Sequence, residues 1–220
     1  MRGNKTISRP IVAAVLGLCS MANAYAAYQP NDNYSTFVLS YQSSSFADPV
    51  CIGAECHAGV SGPAAIFARQ IIPNMALGLS GSYLQSDGNT SSIKSTYGSV
   101  FVQGIAGLGS RVDAGVSIAA LRTTTELCAS SACASGSDSG INLGVFGKVF
   151  LNDMKSLSVA LGYNTIDFHN SADQSIVALT LVTVLAKHHR LAFSVDQSHD
   201  SSGNAMSGGY GFGYSYLVYY

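Results

Sequence analysis

The sequence has little charge, no tryptophan and no long apolar run beyond its N-terminus. Charged residues make up 10% of the chain, against 47% hydrophobic residues. No later apolar stretch approaches the roughly 20 residues that a spanning helix requires, so a helical membrane protein is excluded. A chain this apolar without spanning helices is expected to alternate apolar and polar residues, as barrel strands do.

The N-terminal segment has the organisation of a secretory signal, with a basic start, a short apolar core and small residues at its end. The core is too short for a transmembrane anchor. A lipoprotein site at Cys19 is disfavoured because Leu18 precedes the cysteine where a small residue is needed. We predict a removed signal peptide at 1–27, which takes Cys19 with it, and one mature domain at 28–220.

The mature chain is mildly acidic. Removing the signal's three basic residues from the 11 Lys and Arg leaves 8, against 12 Asp and Glu. Nucleic-acid binding needs clustered Lys and Arg, so we predict no nucleic-acid partner. Nothing resembles a phosphate-binding loop or cofactor motif, so we predict no cofactor.

The last eleven residues carry the most informative pattern. Large side chains recur at every second position, and glycine or serine stands between them at 209, 211, 213 and 215. A strand puts the large side chains on one face and leaves the other almost bare, which suits lipid outside a barrel and a crowded or wet interior. The predicted lipid-facing residues are Tyr210, Phe212, Tyr214, Tyr216, Val218 and Tyr220.

This segment resembles the final strand of bacterial outer-membrane β-barrels, which commonly ends in an aromatic residue. The resemblance implies a monomeric barrel in outer-membrane lipid, with its C-terminal strand presented to the barrel-assembly machinery.

Alternation along the mature chain predicts an all-β fold, a single antiparallel up-and-down transmembrane barrel of about ten strands, with eight as the alternative. Residues 174–186 are apolar on both parities, so their facing is ambiguous. The expected strands are 34–46, 58–72, 76–85, 93–106, 111–123, 139–151, 155–168, 174–186, 189–199 and 206–220.

The expected connections alternate in length. Tight turns are predicted at 73–74, 108–110, 152–153 and 187–188, and longer polar connections at 47–57, 86–92, 124–138, 169–173 and 200–208. Outer-membrane barrels place short turns in the periplasm and long loops outside. We therefore predict a bacterial outer-membrane location with periplasmic termini and extracellular long loops.

Four cysteines fall in two of the long connections, Cys51 and Cys56 in one, Cys128 and Cys133 in the other. In an exported chain they indicate two disulfides. Equal short spacing favours local bridges, and pairing between the connections stays open. A zinc site that includes His57 is the alternative, disfavoured because thiolates do not stay reduced in an oxidising compartment.

Two short motifs resemble those of outer-membrane enzymes. Asp167 and His169 match the Asp-x-His pair of the omptin proteases, although the facing connection supplies only Asp87 where that family has two aspartates. His199 and Ser201 match the His-x-Ser pair of the lipid A deacylases, in which histidine acts as base for serine. The asparagine that follows that serine is missing, and strand 10 has no carboxylate. Polar residues at the rim of the barrel account for both motifs without any catalytic role. We therefore predict that the protein is not an enzyme.

Four charged residues lie on or near the parity of the interior. Such groups pair and fill a small barrel or line a narrow aqueous path, and glycines on the last strand slightly favour the path. His188, His189 and Arg190 are expected at a solvated turn. The sequence thus predicts a non-catalytic surface or structural barrel or a narrow small-solute pore, with a loop-mediated adhesin and an outer-membrane hydrolase as alternatives. The four residues are Arg69, Asp113, Lys148 and Asp196.

Overall fold

A computed structural model describes residues 36–72, 75–108, 110–130, 132–186 and 188–217. The predicted signal peptide lies outside these residues, as do Val218 and Tyr220 of the aromatic pattern. Within the described ranges, no helix is long and apolar enough to cross a membrane.

Ten antiparallel strands form one closed barrel. Each strand pairs with its neighbours in sequence, and the first pairs with the last, so the sheet has no open edge. The predicted all-β up-and-down barrel of ten strands is confirmed, and the eight-strand alternative is wrong. The strands are β1 (Thr36–Ile52), β2 (Glu55–Ile72), β3 (Met75–Asp87), β4 (Ser91–Gly107), β5 (Val112–Ala129), β6 (Ala132–Phe150), β7 (Leu157–Phe168), β8 (Gln174–Ala186), β9 (His189–Asp200) and β10 (Ala205–Leu217).

Alternate residues of each strand face the interior and the outer surface. In β9, Ser194 and Asp196 are buried, whereas Phe193 and Val195 are 47% and 41% exposed. All ten strands carry large apolar residues on the outer surface. We call this surface the apolar belt, and on a closed barrel it is suited to lipid. One belt residue from each strand in turn is Leu39, Phe67, Leu79, Val100, Ile118, Leu143, Leu161, Leu179, Phe193 and Phe212.

The ambiguous strand β8 also alternates. Ile176, Ala178 and Val182 are buried inside the barrel, and the leucines at 179 and 181 are exposed outside. Both faces of β8 are apolar because the outer face forms part of the apolar belt and the inner face packs against apolar side chains of other strands in the interior.

Two of the predicted long connections are strands. The β1–β2 hairpin continues to a turn at 53–54, and the strands of the β5–β6 hairpin continue to Ala129 and Ala132. Gly53 and Ser130 have positive φ angles of 65° and 53°, which a turn this short requires. The loops predicted at 47–57 and 124–138 are therefore wrong. The apolar belt ends below these tips and polar residues follow on the outer face, so the alternation that marked the strands is lost while the pairing continues.

Connection length does not alternate as predicted. The expected tight turn at 152–153 is part of a six-residue connection, 151–156, between β6 and β7. Asn152 organises it, because its Oδ1 accepts hydrogen bonds from the backbone N–H of Ser156 at 2.8 Å and of Leu157 at 3.3 Å. Long hairpins, and not long loops, distinguish the end of the barrel that carries the tips of the β1–β2 and β5–β6 hairpins. Which end faces the periplasm stays a prediction.

Candidate functional site

Three of the four predicted lumen charges face the interior. Asp113, Lys148 and Asp196 are buried, with 2%, 1% and 8% of their surface exposed. Arg69 does not join them. Its strand neighbour Ala68 is buried, so Arg69 is exposed on the outer face. The prediction for Arg69 is wrong because the inward parity of β2 belongs to the even residues at this level.

Asp113 and Lys148 lie directly opposite each other on β5 and β6. Lys148 Nζ also lies 5.0 Å from the ring centroid of Phe150, a distance at which a cation and an aromatic face attract. Arg190 is buried on β9 at the same end of the barrel. The sequence reading missed it because it treated 188–190 as a turn.

Apolar side chains occupy the interior in two large clusters and one small group of Ala76, Ile105 and Phe146. The upper cluster lies toward the hairpin tips and the lower cluster toward the chain termini. In the upper cluster, Leu84, Ile93 and Ile176 have none of their surface exposed. In the lower cluster, Phe101 and Ile66 are each 1% exposed. The upper cluster is Phe46, Val50, Val60, Leu84, Ile93, Tyr97, Leu121, Ile166, Phe168 and Ile176. The lower cluster is Val38, Ile66, Ala68, Phe101, Ala119, Phe150, Val182 and Ala192.

The omptin-like pair does not face the interior. Asp167 is exposed between the inward residues Ile166 and Phe168, and His169 is exposed in the following turn. Alternation does place the two polar residues on one side of β7, but that side is the outer surface and not the barrel mouth. The geometry for a catalytic pair across the mouth is therefore absent.

The deacylase-like pair is not assembled either. His199 follows the inward Ser198 and lies on the outer parity of β9, and Ser201 is exposed in the β9–β10 turn. Among the described residues no hydrogen bond joins His199 to Ser201. Asp200 instead organises this turn by accepting hydrogen bonds from Asn204, which lower the pKa of its carboxyl.

The histidines expected in a solvated turn pack against the terminal strand. His188 stacks on the Tyr216 ring at a centroid distance of 5.8 Å, and His189 meets the same ring edge-on at 5.4 Å. His189 Nδ1 also contacts the Tyr214 hydroxyl. The turn residues thus extend the aromatic surface of β10 around the end of the barrel that holds the chain termini.

The outward aromatic pattern of β10 is as the sequence indicates for the described residues. Tyr210, Phe212, Tyr214 and Tyr216 are 57%, 54%, 39% and 42% exposed. Gly211 and Gly213, which alternate with them, are buried on the inner face.

The cysteines form two local bridges, Cys51–Cys56 and Cys128–Cys133. Each pair stands opposite in strand register, immediately below a hairpin turn. His57, the proposed zinc partner, is buried on the inner face, whereas Cys56 is exposed. The arrangement therefore does not fit a zinc site built from these groups.

A cluster that the sequence reading did not find lies beneath the β1–β2 tip. His57 Nδ1 is 2.8 Å from Ser86 Oγ, and His57 Nε2 is 2.8 Å from Ser91 Oγ. Ser91 Oγ donates to Glu55 Oε2 at 2.6 Å. We call these four residues the serine–histidine cluster. They come from β2, β3 and β4, so no local spacing in the sequence signals them.

Glu55 is held by the β3–β4 turn. Its carboxylate accepts hydrogen bonds from the backbone N–H of Asn89 at 2.8 Å and of Thr90 at 3.0 Å. The Ser91 hydroxyl and the Thr90 amide lower the pKa of Glu55 to about 2. Glu55 lies at the hairpin tip, beyond the apolar belt, and stays ionised at neutral pH.

A groove of about 610 Å³ runs over β1, β2 and β3, and Ser86 lines it. Tyr41, Pro63 and Tyr83 contribute rings, and serine and glycine residues supply most of the remaining lining. Asp87 is the one charged residue among those that line it.

No protein-family model matches the sequence, and no curated protein is similar to it. Three solved structures illustrate the likeness of fold. Ail, the attachment invasion locus protein of Yersinia pestis, is 10% identical with a TM-score of 0.44, over 83% of this chain and 96% of that one. The translocator domain of autotransporter NalP from Neisseria meningitidis is 14% identical with a TM-score of 0.49, over 86% and 90%. The outer membrane protease OmpT from Escherichia coli is 8% identical with a TM-score of 0.41, over 87% and 98%. At these identities the likeness concerns the fold alone.

Proposed function

We propose that the chain is an integral outer-membrane barrel that does not conduct and acts as a surface or structural protein. The observation that carries this proposal is the filling of the interior. Side chains of the upper cluster come from β1 to β5, β7 and β8, and three of them have no exposed surface. Ten strands enclose only slightly more room than the eight that side chains can fill, so an apolar layer of this size supports a barrel without a continuous aqueous path.

The polar groups of the interior are compatible with a filled barrel. Asp113, Lys148 and Arg190 lie near the end that holds the chain termini, and the upper cluster lies between them and the hairpin tips. Asp196 is buried higher in the barrel, opposite Ala178. An ion crossing the barrel would have to shed its hydration shell among apolar side chains, which is a steep electrostatic barrier.

A planar-bilayer recording of the folded full-length chain tests this proposal. We expect no steps of current from the wild type. A variant that shortens two side chains of the upper cluster, Leu84→Ala with Phe168→Ala, should admit water and conduct, which would also show that the protein inserts. Regular conductance by the wild type would contradict the proposal and restore the narrow pore.

Binding at the hairpin tips is a second candidate function. Strands β1, β2 and β4 to β6 are 17 to 19 residues long, compared with 12 or 13 residues for β7 to β10. Their hairpins therefore project beyond the apolar belt. Disulfides stiffen both tips, and a rigid projecting surface loses little entropy on binding. Attachment of cells that display the chain, compared with cells displaying a variant shortened at 128–133, would test it. Equal attachment would remove the candidate.

A further inference from the structure

We propose that the interior of the barrel binds a hard inorganic cation of single charge, Na⁺ or K⁺, between Asp196 of β9 and Gln42 of β1. The proposal goes beyond the surface or structural role, and neither depends on the other. It rests on two buried polar side chains that lack a hydrogen-bond partner among the described residues and on the bare strand face that lies between them.

Asp196 and Gln42 lie on the two strands that flank β10. In strand register Asp196 stands opposite Gly209, and Gln42 stands opposite Gly211. The inward face of β10 therefore places no side chain between the two residues. Neighbouring strands are about 4.8 Å apart, so inward side chains on either side of β10 can reach one small ligand above its glycines.

Both residues lie at the level where the two large apolar clusters meet. On β1, Gln42 lies between Val38 of the lower cluster and Phe46 of the upper cluster. Asp196 stands opposite Ala178, which on β8 likewise lies between a residue of the lower cluster and a residue of the upper cluster. Apolar side chains therefore separate this level from both ends of the barrel.

The polar atoms at this level have no counterpart in the described part of the chain. Gln42 is 1% exposed and Asp196 is 8% exposed. Both carboxylate oxygens of Asp196, and both the oxygen and the nitrogen of the Gln42 amide, are buried without a hydrogen bond. A buried carboxylate is costly to keep ionised unless a positive charge or several hydrogen bonds compensate it. A cation would compensate the carboxylate and would also bind the amide oxygen.

The other buried carboxylates show what Asp196 lacks. Asp138 accepts hydrogen bonds from the backbone N–H of Asn170 and from the Ser171 hydroxyl. Asp113 stands opposite Lys148 in strand register. Within the described ranges, Asp196 has neither hydrogen-bond donors nor an ion pair. It is therefore the buried carboxylate for which a bound cation is the missing counterpart.

The hydroxyls near Asp196 are directed to other acceptors. Ser194 Oγ of β9 donates to the carbonyl of Gly211 at 3.5 Å, and Ser44 Oγ of β1 donates to the carbonyl of Gly208 at 3.4 Å. A hydroxyl oxygen that donates can still accept or ligate. The space over β10 is therefore bordered by oxygen atoms, which are the ligands that hard cations prefer. One carboxylate among neutral oxygens balances a single positive charge, whereas a divalent ion would leave an uncompensated charge among apolar side chains.

Folding equilibria of the full-length protein in phosphatidylcholine vesicles test the proposal. Urea unfolding is followed first in N-methylglucamine chloride, whose cation is too large for the site, and then with NaCl or KCl in its place at the same ionic strength. A ligand that binds only the folded state raises the folding constant by one plus the ratio of its concentration to its dissociation constant. We expect an increase of about 10-fold when the cation concentration is about ten times its dissociation constant.

Three variants locate the site. Asp196→Asn keeps the shape of the side chain and removes its charge, so it should abolish the increase. Gln42→Met removes the amide oxygen at similar size and should weaken the increase. Asp113→Asn removes the buried carboxylate opposite Lys148, nearer the end that holds the chain termini, and should respond like the wild type.

Heat-modifiable mobility on SDS gels checks that every variant is folded. Absence of the increase in the wild type with both cations would overturn the proposal. An equal increase in the wild type and in whichever of Asp196→Asn and Gln42→Met folds would also overturn it, because the cation would then bind elsewhere. Conductance by the wild type in a planar bilayer would contradict the surface or structural role and not the cation site, so the two failures are distinguishable.

Discussion

Replacing Leu84 by alanine should destabilise the barrel more than the same replacement of Leu79. The two residues lie on one strand, β3, and face opposite ways. Leu84 has none of its surface exposed and belongs to the upper cluster, whereas Leu79 is 54% exposed on the apolar belt. The comparison therefore isolates the packing of the interior.

The expected difference follows from what fills the space after each change. Both variants lose the transfer of about three carbons out of water, roughly 2 kcal/mol at about 0.8 kcal/mol per CH₂ group. Lipid chains can move into the space left at Leu79, so no cavity remains there and little further loss of stability is expected. At Leu84 a cavity remains, and buried Leu→Ala changes cost about 3–5 kcal/mol in total. We expect Leu84→Ala to cost about 1–3 kcal/mol more than Leu79→Ala.

Urea unfolding in lipid vesicles measures both free energies. The chain has no tryptophan and 12 tyrosines, so tyrosine fluorescence and heat-modifiable mobility on gels can follow the transition. The free energies are compared by linear extrapolation to zero urea. Equal costs, or a larger cost at Leu79, would mean that the interior is not packed, and the argument for a non-conducting barrel would lose its support.

Three further predictions concern the tips and the belt. Because the folded pKa of Glu55 lies below its ordinary value of 4.5, at about 2, its contribution is present above pH 4.5 and is lost as pH falls toward 2. The protection of the Asn89 and Thr90 amides relative to intrinsic exchange should therefore fall as pH is lowered through that range in the wild type. In Glu55→Gln the protection should be low at every pH. Parallel protection profiles of the two proteins would contradict this. Non-reducing proteolysis should yield two local disulfide peptides, and a cysteine-free mature chain should still form the heat-modifiable barrel. Phe212→Asp should impair insertion into vesicles, by about 1–3 kcal/mol in folding free energy, whereas Phe212→Leu should not, since only aspartate puts a charge on the belt.

The sequence predicted the positions of the strands and the facing of their side chains best where one face of the strand belongs to the apolar belt. In β9 and β10, belt residues such as Phe193 and Phe212 alternate with small or polar residues, and this contrast locates the strands and their facing. The prediction was wrong at 47–57 and 124–138, where the belt has ended. The outward residues are polar or small there, and too few inward apolar residues such as Val50 and Leu127 follow to mark a strand, although backbone pairing continues to the hairpin tips.

Inward facing was harder to predict than outward facing, because the interior accepts residues of many kinds. Arg69 was assigned to the interior from its parity in an irregular part of β2, where alternation is weak. Arg190 was overlooked because it follows two histidines near a turn. The serine–histidine cluster could not have been found from spacing, since Glu55, Ser86 and Ser91 meet only after three strands have paired.

The glycines of β10 show why a bare strand face does not indicate a channel. Side chains from the flanking strands use the space that the glycines leave. Ser44 Oγ of β1 donates to the carbonyl of Gly208 at 3.4 Å, and Ser194 Oγ of β9 donates to the carbonyl of Gly211 at 3.5 Å. Hydroxyl groups of the two flanking strands, β1 and β9, therefore bond to the β10 backbone beside its glycines. A bare strand face in the sequence is thus not by itself evidence for a pore.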